Sequence, residues 1–569
     1  MKTFLPAKSR AKQSSLLPML CGLLALLAVV FATDPAAAQA TVQDKASDID
    51  EIFDWTTPTA PGCVVAVSLH GELIVERAYG SADLERNVSL SPSSVFDIGS
   101  LQKQFVAAAV LLLVEAGQVS LSEDIRKYIP ELPDTGHIIT VDHLLTHTSG
   151  IRDWTGIARL AGGNEDAMTM ILRQRGLNFA PGEEWSYSNS GYVLVKEIIA
   201  RTSGMSFAEF AHKRLFEPLG MHSTRYADDL RDVIENRALA YEREGGHWKL
   251  DMLFDNDRGG GALLSTAGDL IVWNEALASG RLGAFVTEKL HEPASLNNGR
   301  TLGYARGLAL DTNRGGRVVW HGGSAAGYKS LLGRYPEQGL SIAILCNGGG
   351  SADGMMSARR IYDLFVPATV APDAAANAPV TIPDNADAEE IDVNSKAGLF
   401  FSEPTGEPLR LILRGGRLRV AGGPPLIPVA EDRFRNPHGV LRFMSQDEFE
   451  LHFLSSDEFE LESMEGKATA YSRAEPYAPT PDDLQAFVGR YESDEIGTVI
   501  QIEPRGDGLV MRLEHSATSL EFEAVDRDTF QWGMMTVRFH RDKAGKVVAF
   551  NYSNPVLRNI RFTRLSDRQ

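Results

Sequence analysis

Three rhythms of apolar and polar positions follow one another along the chain. Leu16 to Ala32 is a continuous apolar run behind Lys2, Lys8, Arg10 and Lys12, and Ala38-Gln39-Ala40 comes after it. That is the pattern of a secretory leader cut near Ala40. A run of about 17 apolar residues is short for a membrane anchor. From there to residue 365 helical and strand-like stretches mix. Asp48–Trp55 has a helical pattern. Cys63–Leu69 reads as a strand that His70-Gly71 turns into a second, Glu72–Tyr79. Val95–Ile98 is a short extended run. A helix then opens at or just before Ser100 and continues through the apolar stretch Ala107–Val114 to Gly117. Asp142–Gly150 ends in a helix stop, and the polar, aromatic loop Pro181–Tyr192 leads into a helix over Val193–Ala200. Gly259–Asp269 is a glycine stretch in which Ser265 or Thr266 can cap the next helix. Three strands follow, Arg317–His321, Tyr328–Tyr335 and Leu340–Leu345, with Gly322-Gly323 breaking the first, and then a helix over Gly354–Phe365.

Residues 366–392, rich in Ala, Pro and Asp, form a linker. Beyond it the pattern turns to short alternating strands. Ala397-Gly398-Leu399-Phe400-Phe401 and Phe487-Val488-Gly489-Arg490-Tyr491 each open a similar series of two further strands joined by a glycine turn. This repeat predicts two small antiparallel β-barrels, at 393–478 and 479–569.

Composition narrows the picture. A chain of 569 residues is too long for one compact domain, and 43% hydrophobic residues suffice for real cores. A net charge of −19 without a basic run argues against nucleic acid or an anionic membrane as partner. After the leader nothing is apolar enough to span a membrane. The mature chain is expected to be periplasmic or secreted. Of three cysteines, Cys63 and Cys346 remain after the leader is removed.

The chemistry concentrates at the start of the Ser100 helix. A serine on a first helical turn lies among unpaired N–H groups that favour an oxyanion. Lys103 is one turn further on, on the same face, where its amine can take the serine proton. Ser9-Arg10-Ala11-Lys12 has the same spacing but falls in the leader. His143 and His147 are four apart, as metal-binding histidines on a helix can be. With no glutamate between them and no third ligand, a structural helix end is the better reading. The glycine stretch at 259–261 lacks the lysine of a phosphate loop.

Ser100-x-x-Lys103, Tyr187-x-Asn189 and His321-Gly322-Gly323 occur in that order. The set resembles the class C β-lactamase and D-Ala-D-Ala carboxypeptidase family of serine hydrolases, over about residues 45–365. The C-terminal pair of barrels is similar to that of bacterial D-aminopeptidases. The resemblance implies an α+β catalytic domain over 41–365, with an antiparallel sheet and a helical subdomain around the site. It implies Ser100 as nucleophile, with Lys103 and Tyr187 managing its proton and Tyr187 acting as phenolate. Asn189, His321, Gly323 and Ser324 would bind substrate, with the N–H groups of Ser100 and Ser324 as oxyanion donors. No metal or cofactor is implied. The expected substrate is a small molecule or short peptide, and a homodimer is left open. Many relatives have Lys-Thr-Gly where this chain has His321-Gly322-Gly323, which weighs against substrates anchored by a carboxylate. Esterase, β-lactamase and non-catalytic sensor activities are the alternatives. In this family the first and last strands are antiparallel neighbours, so Cys63 and Cys346 could meet, although two buried free thiols are the commoner state. The resemblance also implies a loop from the last barrel reaching the cleft, with Asn551–Asn559 as candidate. Because the linker marks a domain boundary, truncation near residue 370 is expected to leave a folded hydrolase.

Overall fold

The computed structural model describes residues 45–566 except 163–164, 254–260, 314–315, 350–353, 367–392, 403–407, 422, 424, 437–448, 464–467, 476 and 514–518. The leader, the linker beyond Val366 and Gly259-Gly260 lie outside the described residues. The expected helix at Asp48–Trp55 starts earlier, at residue 45, and ends at residue 52.

Six antiparallel strands form one sheet, in the spatial order Ala309–Asn313, Gly316–Ala325, Tyr328–Tyr335, Leu340–Cys346, Cys63–Leu69, Glu72–Tyr79. The first hairpin and the last strands are thus one sheet. Cys63 faces Cys346 in register, and the two are disulfide-bonded. The helix Lys103–Glu115 is buried on nearly every side, as a helix apolar all round must be. It packs against Asn189–Ser203 and Ala284–His291.

Two elements depart from the sequence reading, and both departures build the site. The strand from Gly316 does not break at Gly322-Gly323; it runs to Ala325, pairing Gly322 with Leu331 and Gly323 with Ser330. The glycines serve close approach, not a turn: a Cβ on Gly323 would stand 2.0 Å from the Ile98 carbonyl oxygen. The neighbouring strand Ala309–Asn313 pairs with it only as far as Trp320, so 321–325 has no strand partner on that side. The second departure is the helix expected from Val193, which begins at Asn189. Its N-terminus is capped from a distant segment, because the Asn189 N–H donates to the Asp153 carboxylate.

The C-terminal part holds two eight-stranded antiparallel structures. Gly398–Ser402 to Ala468–Arg473 form a sheet, and Gly489–Ser493 to Leu557–Arg564 form a closed barrel. The repeat seen in the sequence has a shared lock. Arg473 lies over the Phe400 ring and against Gly398, and Arg564 lies over Tyr491 and against Gly489. The spacing is the same, 473 − 398 = 564 − 489 = 75. Asn551–Asn559 is not a protruding loop. It is the tip of the hairpin Val547–Asn554/Leu557–Arg564, tightened by Asn554, whose side-chain oxygen accepts the N–H groups of Val556 and Leu557. This tip nonetheless reaches the catalytic region: Asn178 donates to the Val556 carbonyl at 2.9 Å, and Arg558 pairs with Glu184 at 2.9 Å. Ile157, Leu160 and Met170 belong to the same apolar cluster as the barrel residues Phe487, Ile496 and Leu557.

Candidate active site

The nucleophile candidate stands where the chain turns sharply. Asp97 accepts the N–H of Gly99 at 2.8 Å, and Gly99 has φ +52°, which glycine adopts without steric cost. A Cβ there would lie 2.7 Å from the Ser324 nitrogen. The Ser100 turn is therefore pressed against the outer strand, and the backbone nitrogen of Ser324 lies beside it. Gly99–Gln102 is a 3-10 turn that feeds directly into the buried helix from Lys103.

Lys103 is 3% exposed. Its Nζ is 3.3 Å from Ser100 Oγ and donates to Asn189 Oδ1 at 2.8 Å. It also sits 4.6 Å from the centroid of the Tyr187 ring and 5.3 Å from that of Tyr192. Burial lowers its pKa to about 7; the Asp153 carboxylate pulls the other way, and Lys196 adds to the lowering. Near neutral pH a substantial share of Lys103 is free amine.

Tyr187 is different. Burial raises its phenol well above the ordinary value, and a hydrogen bond with Ser100 offsets this only in part. The resting site therefore holds a neutral phenol. The expected phenolate does not fit this burial, whereas the burial of Lys103 favours a free base.

The expectation that His321 contacts substrate also changes. It is 0% exposed. Its Nε2 faces the Tyr304 hydroxyl at 3.1 Å, and its Nδ1 lies 2.6 Å from the Gly322 carbonyl oxygen. Both nitrogens are engaged within the protein. Burial and the nearby Lys103 push its pKa down to about 3, so it supplies no positive charge. Gly323 has its place in the close packing on Ile98. Ser324 is exposed, and its hydroxyl accepts from Lys329 Nζ at 2.6 Å. Ser100, Lys103, Tyr187, Asn189 and the 321–324 edge thus come together.

The sequence reading missed two residues beside them. Asp153, 2% exposed, receives the N–H groups of Asn189 and Thr155. Its signal was an aspartate just before a helix, which predicts a cap but not the second helix it serves. Tyr304 joins His147 to His321 and has no local signal at all. The two histidines of 143–147 have separate partners: His143 Nδ1 accepts the Thr140 N–H in a capping box, while His147 faces the site. Among the described residues no group of His, Cys, Asp and Glu could hold a metal ion.

Comparison with known proteins bears on the family and the fold. Residues 50–365 match the family described as Beta-lactamase, and residues 473–564 match a Domain of unknown function (DUF3471). The chain belongs to the beta-lactamase family of serine hydrolases. Penicillin-binding protein 4* of Bacillus subtilis is 30% identical over 300 residues, 49% of this chain and 66% of that protein's own length. A D-aminopeptidase of Brucella ovis is 23% identical over 539 residues, 89% of this chain and 96% of that protein. The octameric penicillin-binding protein homologue from Pyrococcus abyssi shares the fold, with a TM-score of 0.51 and 22% identity over 76% of this chain and 100% of that one.

Proposed function

We propose that the protein is an exported hydrolase that cleaves small amides or short peptides through an acyl-enzyme on Ser100, in the manner of a D-aminopeptidase. The carrying observation is the buried Lys103 amine 3.3 Å from Ser100 Oγ, with its pKa lowered to about 7. Free amine takes the Ser100 proton as Oγ attacks the substrate carbonyl. The N–H groups of Ser100 and Ser324 receive the oxyanion. Tyr187, in contact with both Ser100 and Lys103, returns the proton to the departing nitrogen. Asn189 holds Lys103. Water then releases the acyl group by the reverse route. The preference for amides and peptides rests on the likeness to the Brucella protein, which extends over 89% of this chain and so includes the C-terminal strands.

Export is supported by the leader pattern and by the disulfide Cys63–Cys346, since such bonds persist in oxidising compartments. Among the described residues no helix is long and apolar enough to cross a membrane. A second reading, penicillin binding or β-lactam hydrolysis, draws on the likeness to the Bacillus protein, 30% identical over 300 residues.

One screen separates the two: D-amino-acid amides, their N-blocked analogues, short esters and a chromogenic cephalosporin. Free-amino D-amides are expected to turn over fastest. A stoichiometric burst with the cephalosporin and no amide turnover would move the assignment to the second reading. Ser100→Ala is expected to abolish both turnover and labelling by an activated phosphonate; near-wild-type hydrolysis by that variant removes the serine mechanism altogether.

A further inference from the structure

His147 is the buried histidine that the mechanism above leaves unused. It is 1% exposed and has φ +61°. A non-glycine residue in that region is uncommon, and such strain clusters at functional sites. Its contacts surround Tyr187. The His147 carbonyl accepts the N–H of Ser186 at 2.9 Å, and its Nδ1 accepts the N–H of Ser188 at 3.1 Å. The residues on both sides of Tyr187 are thus held by one residue. The imidazole also packs on the Tyr187 ring, with centroids 4.3 Å apart.

The other ring nitrogen opens a chain. His147 Nε2 is 3.1 Å from the Tyr304 hydroxyl, which is 3.1 Å from His321 Nε2, and His321 Nδ1 is 2.6 Å from the Gly322 carbonyl. Backbone groups fix both ends. A peptide N–H only donates, so His147 Nδ1 must be bare and its Nε2 protonated. A carbonyl only accepts, so His321 Nδ1 must be protonated and its Nε2 bare. Tyr304 has one proton, and the chain then has a single direction: His147 to Tyr304 to His321 to Gly322.

We propose that His147 is the positioning residue of Tyr187, and that the one-way chain through Tyr304 and His321 ties it to the outer strand that carries Ser324. This rests on the assignment of Tyr187 as proton carrier. The chain couples the two walls of the site, so that the phenol and the oxyanion donors keep their spacing. It also keeps further positive charge away from Lys103. The groups facing it are Lys103 from the central helix, Tyr192 from the Asn189 helix, and Tyr187 and Trp185 from the intervening loop. Asp153 faces Lys103, and Asp142 and Arg306 face Tyr192. A proton added to either histidine would find no acceptor without breaking a bond already made.

The test uses the full-length mature enzyme labelled with 15N-histidine. Long-range nitrogen–proton correlation is expected to show His147 bare at Nδ1 and His321 bare at Nε2, unchanged from about pH 5 to about pH 8. The opposite tautomer, or an imidazolium at either position near pH 7, overturns the proposal. In kinetics, His147→Leu is expected to lower kcat about a hundredfold with KM little changed. His147→Asn tolerates the left-handed backbone and keeps an acceptor for Ser188, so it should recover most of that loss. If His147→Leu does not fold, Tyr304→Phe, which removes one hydroxyl, is expected to lower kcat about tenfold and to release the His321 tautomer. Wild-type kcat in folded variants at both positions overturns the proposal. Tyr187→Phe separates the two levels. An inactive Tyr187→Phe beside a fully active His147→Leu refutes this inference alone, whereas a fully active Tyr187→Phe refutes the proton-carrier assignment beneath it.

Discussion

Lys103 has its amine inside a nearly closed site, and burial brings its pKa down to about 7. The sign of the pH dependence follows. Below that value the ammonium has no lone pair and Ser100 keeps its proton. As pH rises through about 7 the free amine grows and kcat/KM should rise with it. Tyr187 stays a phenol throughout, because burial holds its pKa high, so no second rising limb is expected. A profile flat from about pH 5 to about pH 9 would contradict a lysine base. Lys103→Arg, charged at every accessible pH, should be inactive across the range. The pair Ser100/Lys103 was legible in the sequence because three residues span one helical turn. Asp153 and Tyr304 were not, since nothing near them in the chain announces Asn189 or His321. The place of His321 was misread for a related reason: its residue type was visible, but its complete burial was not.

Strands and helices of the catalytic region were mostly legible to within a residue or two. Cys63–Leu69, Glu72–Tyr79 and Tyr328–Tyr335 form as read. Their apolar runs have turn residues at both ends, and local chemistry decides such cases. The misreadings fell where a distant group overrides local preference. Gly322-Gly323 looks like a break, yet the strand continues because Ile98 and Ser330 pack onto Gly323. Gly323→Ala places a Cβ 2.0 Å from the Ile98 oxygen and 2.3 Å from Ser330 Oγ. Overpacking of that kind costs about 1–3 kcal/mol. Thermal melts should show a lower Tm, and turnover should fall further than stability does, because the shift separates Ser324 from Ser100. An unchanged Tm with full activity would refute this role. The pairing of Cys63 with Cys346 tests the adjacency of the two strands that carry them. Thiol titration of the denatured, non-reduced protein from Thr41 onward is expected to find no free thiol, and two would exclude the bridge.

At the scale of the whole molecule, the closed barrel is part of the catalytic unit rather than an appendage. Arg152 is 4% exposed. It pairs with Glu495 of the barrel at 2.8 and 3.0 Å and donates to the Arg558 carbonyl. The next residue is Asp153, which holds Asn189. Truncation near residue 370 would strip the cover from Ile157, Leu160 and Met170 and leave Arg152 without its carboxylate. Each apolar side chain so exposed gives up about 1.5–3 kcal/mol. The expectation of an independent, folded hydrolase is therefore revised: the truncated chain should aggregate or melt far below the full protein, with little turnover. Glu495→Gln in the full chain is the milder form, and it should lower Tm while keeping the fold. A truncated protein that melts like the intact one would refute the dependence. The existence of two barrel-like repeats could be read from the sequence, since the Gly-x-aromatic opening recurs. Their docking could not, because the apolar face of Trp154–Ala161 looks like any amphipathic helix.

Barrel closure has a further consequence in time. The strand that shuts the barrel, Leu557–Arg564, is the last in the described chain and pairs back to Tyr491 and Glu492. During synthesis it emerges after the other seven strands of the barrel. Until it does, the helix before Asn189 has no complete partner to lie on, and the Tyr187 turn has no firm seat. A nascent or prematurely ended chain therefore carries Ser100 and Lys103 without the frame that makes them work together. The catalytic frame is complete only once this strand has closed the barrel.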